Sequence, residues 1–164
     1  MTRIVPSETC GNSPKNLFVQ DLAIAFARHD IDFLLDNFSD DIRWHIVGDQ
    51  ELRGKDAVAE WLRSRQDSET AELVIEHAIT HGRVGSVNGV TKCGQGGRNE
   101  FCNVYEFTSA RATGVKAITS YVITIFPETS QVIFPETLAK KENIKHGSRY
   151  NKKQGAENHP QLVV

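Results

Sequence analysis

The chain has 164 residues, of which 39% are hydrophobic and 24% are charged, and its formal net charge is −2. This composition is typical of a single soluble globular domain that is long enough to bury a core. The sequence contains no run of about 18 apolar residues, so it predicts no membrane span. Its polar start lacks the apolar block of a signal peptide. We therefore expect a cytoplasmic protein that does not bind membranes.

Charge is distributed unevenly along the chain. Residues 139–164 hold six of the 19 basic side chains but only two of the 21 acidic side chains. The preceding part is acidic, which argues against binding to nucleic acid. The three cysteines, Cys10, Cys93 and Cys102, are odd in number and lack the spacing of metal ligands. This cysteine usage is consistent with a reducing compartment.

The first part of the chain predicts three helices. Ser13-Pro14 is typical of an N-cap followed by the first helical residue, and apolar residues then recur at helical spacing as far as His29. Asp30 is suited to cap a second short helix that reaches Phe38. A third helix is predicted after Gly54. Its apolar stripe consists of Ala57, Val58, Trp61 and Leu62.

Strands are predicted before and after the third helix. In the first strand Ile42, Trp44 and Ile46 alternate with more polar residues, and the strand ends at the turn Gly48-Asp49. Four further alternating stretches follow the third helix. They cover residues 70–81, 84–92, 100–108 and 115–126. The turns between them are short, so we expect these strands to pair antiparallel in sequence order.

This order of elements predicts an α+β fold. A curved antiparallel sheet would wrap around three N-terminal helices and form a cone with an internal pocket. We expect the domain to span residues 13–126, preceded by a disordered N-terminus over residues 1–12. Residues 127–164 are predicted to form a poorly structured basic tail, because they are polar and hold few apolar anchors. The sequence IFPET occurs at 125–129 and again at 133–137, which is too short for a repeat architecture.

The chain resembles the nuclear-transport-factor-2-like superfamily, and within it the SnoaL-like bacterial proteins. The stretches that carry the resemblance are, in chain order, FARHDIDFLLDNFSDDIRWHIVGDQELRGKDAVAEWL, ELVIEHAITHGRVGSVNG, FCNVYEF and ITSYVI. Its most specific part joins Asp41-x-x-Trp44 to the helix start Gly54-Lys55-Asp56-Ala57. The resemblance implies a cone-shaped pocket and dimers that form through the sheet. The superfamily includes isomerases, cyclases, dehydratases and epoxide hydrolases, and many members with no assigned chemistry.

Strand alternation predicts which side chains face the pocket. The inward faces would be mostly apolar, with His77, Asn103, Tyr105 and Ser120 as their polar members. A largely apolar cavity with a few convergent polar groups is typical of small-molecule sites. We therefore expect a small apolar organic ligand. The residues predicted to bind it are Trp44, Asp49, Trp61, Asn103 and Ser120. Each of them also fits a structural role, in the core or, for Asp49, in a turn.

His77 is the main candidate for catalysis. An apolar wall lowers the pKa of an imidazole, so that the neutral ring can take a proton near neutral pH. Tyr105 would then donate a hydrogen bond to a substrate oxygen. Catalysts in the family that the chain resembles use a pocket aspartate as base, and the predicted inward faces carry no carboxylate. Two functions stay open: an isomerase, cyclase or hydrolase with a histidine base, or a non-catalytic ligand-binding or dimerisation module.

No metal site and no cofactor are predicted. His77 and His81 share a strand face, but four strand residues span about 13 Å, which is too far for one metal ion. The outer face of the last strand carries an apolar strip formed by Thr119, Tyr121 and Ile123. This strip predicts a homodimer that forms through the sheet.

Overall fold

The computed structural model describes residues 1–8, 13–65, 70–93, 97–111 and 113–125. The predicted tail over residues 127–164 therefore lies outside the described residues. The helices are α1 (Pro14–Arg28), α2 (Ile31–Asn37) and α3 (Lys55–Arg63). The strands are β1 (Arg3–Val5), β2 (Phe38–Ile46), β3 (Glu51–Arg53), β4 (Thr70–His81), β5 (Val84–Cys93), β6 (Arg98–Phe107) and β7 (Val115–Ile125).

The local sequence explains where the first two helices begin and end. α1 begins at Pro14 after the N-cap residue Ser13, where the missing N–H of proline has no cost. It ends where His29 adopts a left-handed conformation, which terminates helices. Asp30 caps α2, because its Oδ1 accepts a hydrogen bond of 3.1 Å from the backbone N–H of Phe33. These boundaries confirm the predicted helices.

The seven strands form one curved, unclosed sheet in the order β1-β4-β5-β6-β7-β2-β3. The meander from β4 to β7 is antiparallel, as its short connections predict. Two pairs are parallel, however: β1 with β4, and β2 with β7. The sheet is therefore mixed. Alternation along a strand indicates which of its faces is buried. It does not indicate whether a strand that is distant in sequence pairs with it in parallel or antiparallel.

The first residues of the chain form part of this sheet. Arg3–Val5 pairs in parallel with residues 72–74 of β4, and Arg3 Nη1 lies 3.0 Å from Glu72 Oε1. The prediction of a disordered N-terminus is wrong for this stretch, because three strand residues are too few to display an alternating pattern. Residues 9–12 lie outside the described residues.

The core lies between the helices and the inner face of the sheet. Trp44 of β2 is fully buried at its centre. Its ring packs edge-on against Trp61 of α3, with 4.8 Å between the ring centroids, and lies 5.2 Å from the ring of Phe26 in α1. Aromatic pairs of this geometry contribute about 0.5–1.5 kcal/mol each beyond the burial of their area. Trp44 therefore joins two helices to the sheet.

A β-bulge divides β4 into two parts. Ile75 pairs with Gly89, and His77 pairs with the next residue back along β5, Asn88. Glu76 is thus an extra residue with no partner opposite it, which is the definition of a bulge. An extra residue moves every side chain that follows it to the other face of the sheet.

The close contact at the bulge requires glycine on the neighbouring strand. A Cβ atom at Gly89 would lie 2.0 Å from the carbonyl oxygen of Val74. Beyond the bulge Ala78 is buried, whereas His77 and Ile79 are exposed. The predicted inward face of β4 is therefore wrong after Ile75.

Candidate ligand-binding site

His77 lies on the outer face of the sheet and is exposed. The prediction that it faces the interior is wrong, and the bulge at Glu76 is the physical reason. His77 Nδ1 lies 3.2 Å from Asn88 Oδ1, while Asn88 Nδ2 donates to Glu76 Oε2 at 2.8 Å. Since an amide oxygen only accepts hydrogen bonds, the proton of this pair is on His77 Nδ1. In this position the imidazole has no access to the interior of the cone.

Every buried polar residue in the described ranges is uncharged. These residues are Gln20, Thr70, Thr91, Asn99, Asn103 and Ser120. Tyr105 is also fully buried, and burial raises its pKa, with the Asn103 side chain acting in the opposite direction. Its hydroxyl therefore stays protonated at neutral pH and is a hydrogen-bond donor. Among these buried residues there is no carboxylate, imidazole or amine that would abstract a proton.

Trp44 and Ser120 were both predicted to contact a ligand, and the structure pairs them with each other. The parallel pairing of β2 with β7 brings the two side chains together, and Trp44 Nε1 donates to Ser120 Oγ at 2.9 Å. Both residues are completely buried. Their polar atoms thus serve the core, and a role for them in ligand binding stays a prediction.

Trp61 is part of α3, and Asp49 follows the end of β2. The guanidinium of Arg65 is 4.4 Å from the centroid of the Trp61 ring, and Arg65 Nη2 is 4.0 Å from Asp49 Oδ2. The predicted role of Asp49 and Trp61 in binding is untested. Neither residue lines the hollow between α1 and the sheet.

This interior hollow lies between α1 and the strands β4, β5 and β6, and its volume is about 10 Å³. The residues that line it are Ala23, Phe26, Ala27, Leu73, Thr91, Phe101 and Asn103. Its volume is about that of one water molecule and far below the roughly 300 Å³ of a small-molecule pocket. In this structure the hollow is therefore smaller than a ligand pocket, because apolar side chains fill most of the space, and the internal pocket stays a prediction.

Six buried side-chain polar atoms lack a hydrogen-bond partner among the described residues. They are Ser39 Oγ, Trp61 Nε1, Thr70 Oγ1, Thr91 Oγ1, Asn103 Oδ1 and Tyr105 Oη. Of these residues, Thr91 and Asn103 line the hollow. Native proteins pair the great majority of buried polar atoms, and each unpaired atom costs about 1–3 kcal/mol. Asn103 and Tyr105 were predicted from the sequence, and their burial is confirmed. Thr91 was missed, although it lies at the inward spacing from the buried Val87.

A larger concave surface lies on the outer face of the sheet, with a volume of about 370 Å³. We call it the outer groove, and it is lined by Glu76, Asn88, Gly89, Val90, Glu100, Phe101, Cys102, Tyr121 and Ile123. Tyr121 is 49% exposed and Ile123 is 65% exposed, which confirms that these members of the predicted apolar strip face outward. Exposed apolar surface of this kind is typical of an interaction site.

No three side chains of His, Cys, Asp or Glu come close enough together to hold a metal ion in the part of the chain that the structure describes. Within the same part, none of the helices combines the length and the apolar character that crossing a membrane requires.

A family model of the SnoaL-like domain matches residues 19–115, which is more than half of the chain. The chain belongs to the SnoaL-like domain family. This confirms the predicted superfamily, and the mixed sheet around three helices agrees with its α+β cone. No curated protein matches this SnoaL-like protein.

Several solved structures share the fold of the SnoaL-like protein. An NTF2-like protein of unknown function from Cytophaga hutchinsonii is 22% identical, with a TM-score of 0.52 over 66% of this chain and 99% of that chain. An LEH-like epoxide hydrolase from M. tuberculosis is 20% identical, with a TM-score of 0.55 over 66% and 82% of the two chains. The epoxide hydrolase/cyclase-like enzyme SalBIII, which has a role in pyran ring formation in the polyether salinomycin, is 14% identical, with a TM-score of 0.57 over 70% and 95%. At these identities the similarity shows a shared fold only.

Proposed function

We propose that this SnoaL-like protein binds a small, largely apolar organic molecule inside its cone and holds it by neutral hydrogen bonds. The observation that supports this proposal is that two residues lining the hollow, Thr91 and Asn103, hold buried polar atoms without partners, Thr91 Oγ1 and Asn103 Oδ1. A ligand with one polar group among apolar atoms would satisfy them. Apolar walls with a few fixed polar groups are the usual composition of small-molecule sites.

Ligand access requires a side chain to move, because the hollow holds only about 10 Å³. Phe101 is suited to this role, since it lines the hollow and packs against the core but is only partly buried. Outward rotation of its ring would add the volume of a phenyl group to the hollow. Ala23 and Ala27 of α1 line the same space and are too short to refill it.

The proposed activity is binding without proton transfer. The exposure of His77 and the uncharged set of buried polar residues support a non-catalytic ligand-binding module over an isomerase, cyclase or hydrolase. The raised pKa of Tyr105 supports the same choice, because a hydroxyl that stays protonated orients a ligand and does not act as a base.

Filling the hollow tests this proposal. A panel of small neutral aromatic compounds should raise the melting temperature of the wild-type protein, because a ligand that binds only the folded state stabilises it. Ala27→Leu should abolish that rise by occupying the hollow. The control is Ala59→Leu, which overpacks a buried alanine of α3 that does not line the hollow. Both variants should lose about 1–3 kcal/mol of stability.

Two results of this experiment would contradict interior binding. One is a wild-type protein whose melting temperature no compound of the panel changes. The other is an Ala27→Leu variant that responds as fully as Ala59→Leu does. If Ala27→Leu does not fold, the smaller change Ala23→Val replaces it, because Ala23 lines the same hollow.

We also propose that the protein forms a homodimer through the outer face of its sheet. Tyr121, Ile123 and Ile125 are large apolar residues that this face leaves exposed, and the first two also line the outer groove. Removing such surface from water stabilises an association by about 25 cal/mol per Å² of apolar area. Two of the three residues of the predicted strip, Tyr121 and Ile123, are thus exposed, which supports the proposed dimer.

A cytoplasmic location is a further part of the proposal. The thiols of Cys93 and Cys102 are free in the structure. A reducing compartment keeps cysteines in this state, so the free thiols support a location in the cytoplasm.

A further inference from the structure

The unpaired amide oxygen at the hollow is restricted to one kind of hydrogen bond. Asn103 Oδ1 is a carbonyl oxygen, which only accepts. Asn103 is only 2% exposed, and no donor of the described residues reaches this oxygen. On the neighbouring strands its partners in register are Val87 and Ser120. The first has no polar side-chain atom, and the hydroxyl of the second, which accepts from Trp44, forms no hydrogen bond with Asn103 Oδ1.

Thr91 contributes a hydroxyl group, which forms hydrogen bonds of both kinds. Its hydroxyl both donates and accepts, it is 5% exposed, and its Oγ1 also lacks a partner among the described residues. Thr91 and Asn103 line the same hollow. An O–H or N–H group placed between them donates to Asn103 Oδ1, and a hydroxyl there also accepts from Thr91. A group that only accepts, such as an ether or a ketone, leaves Asn103 unpaired.

An anionic group does not fit this place. The residues that line the hollow include no cation, and the burial of an unpaired carboxylate is strongly unfavourable. The carboxylate oxygens would also face the partial negative charge of Asn103 Oδ1. The polar group of the ligand is therefore a neutral hydrogen-bond donor.

We propose that the molecule bound inside the cone is a neutral alcohol, phenol or N–H compound that donates its hydrogen bond to Asn103 Oδ1. This inference rests on the proposed interior binding and adds the polar group by which the site selects its ligand. It makes Asn103 and Thr91 the residues that determine specificity.

Four aromatic probes of similar size separate the effects of a hydrogen-bond donor, a hydrogen-bond acceptor and a negative charge on binding. Phenol has a donor, anisole has only an acceptor, toluene has neither, and benzoate is an anion. Calorimetric titration of the full wild-type chain should show phenol bound about tenfold or more tightly than anisole or toluene, the ratio expected for one buried hydrogen bond. Benzoate should not bind.

Substitutions then test whether Asn103 is responsible for the preference for phenol. Asn103→Leu replaces the amide by an apolar group of similar shape, and toluene should then bind as tightly as phenol or more tightly. Thr70→Val is the control, because this buried threonine does not line the hollow, and the phenol-to-anisole ratio should stay at its wild-type value. If Asn103→Leu does not fold, Thr91→Val takes its place and should reduce the ratio several-fold.

The outcomes separate this inference from the function on which it rests. Equal affinities for phenol, anisole and toluene would overturn the inference and leave interior binding in place, with a single water molecule pairing Asn103 and Thr91. A preference for phenol that persists in Asn103→Leu would overturn it as well. Failure of all four probes to bind the wild-type protein would contradict both proposals.

Discussion

Single side chains in this protein act through the partners that strand pairing provides. Glu72 of β4 is an example, since it contacts the strands on both sides. Its Oε1 lies 3.0 Å from Arg3 of β1, and its Oε2 lies 2.5 Å from Lys92 of β5. The hydrogen bond from Lys92 and the positive charges of Lys92 and Arg3 lower the pKa of Glu72, while desolvation acts against them. Glu72 thus links the N-terminal strand β1 to β4 and β5 through ion pairs.

This lowered pKa predicts a dependence of stability on pH. A carboxyl whose pKa is lower in the folded state stabilises the protein above its ordinary value of 4.5, and this contribution disappears as the pH falls through the folded-state pKa. Glu72→Gln should therefore be less stable than the wild type at neutral pH, and the difference should vanish in acid. Urea unfolding over a range of pH measures it.

A matched control separates this contribution from a general effect of charge. Glu60→Gln changes an exposed glutamate of α3, and its difference from the wild type should stay small at every pH. A Glu72→Gln difference that is the same at neutral and acid pH would show that the ion pairs of Glu72 do not stabilise the fold.

At the scale of elements, the sequence predicts helices and strands well and predicts their faces less well. The inward positions of β2 and β6, among them Trp44, Asn103 and Tyr105, are buried as alternation predicts. The prediction failed for β4, because one extra residue reverses the pattern. Two adjacent polar residues, Glu76 and His77, are the only trace of the bulge in the sequence of this strand.

Local sequence patterns do not predict two other features, the pairing of β2 with β7 and the volume of the interior hollow. The parallel pairing of β2 with β7 joins strands that α3 and four other strands separate along the chain. The volume of the interior hollow depends on how side chains from α1 and three strands pack together, and small changes in that packing decide whether space is left. Thus the polar residues Asn103 and Tyr105 were predictable, whereas the size of the space beside them was not.

The bulge predicts that replacing Gly89 by a larger residue destabilises the protein. A Cβ atom at Gly89 would meet backbone atoms of β4, which cannot move without breaking the pairing. Gly89→Ala should therefore cost about 1–3 kcal/mol or more in the free energy of unfolding, as overpacking does. Chemical denaturation measures this difference.

Gly97→Ala is the matched control for this change. A Cβ atom at Gly97 would meet nothing within 4 Å, so this variant should stay within about 0.5 kcal/mol of the wild type, the usual range for surface changes. Equal stability of the two variants would contradict the close approach that we describe at the bulge.

At the scale of the whole molecule, the two faces of the sheet have different roles in our proposals. The inner face packs against the helices and holds the unpaired polar atoms of Thr91 and Asn103. The outer face carries the outer groove and the exposed residues Tyr121 and Ile123. Ligand binding on one face and dimerisation on the other therefore involve different side chains, apart from Phe101, which borders both concave regions.

The proposed dimer predicts the effect of a single charge. The wild-type protein should be a dimer by light scattering, and Ile123→Lys should make it a monomer, because a charge at the centre of an apolar contact has no partner there. Ile79→Lys is the control, since Ile79 is exposed to a similar degree on β4 but does not line the outer groove. A wild-type monomer at high concentration would contradict the proposal, as would dissociation by both changes.

The central claim is that the ligand site lies inside the cone, and its position can be measured directly. In an NMR titration of the methyl-labelled wild-type protein with phenol, the methyl resonances of Ala23, Ala27 and Thr91 should shift and show cross-relaxation to the phenol ring. These methyl groups line the interior hollow. Shifts confined to Val90 and Ile123, which line the outer groove, would contradict the account.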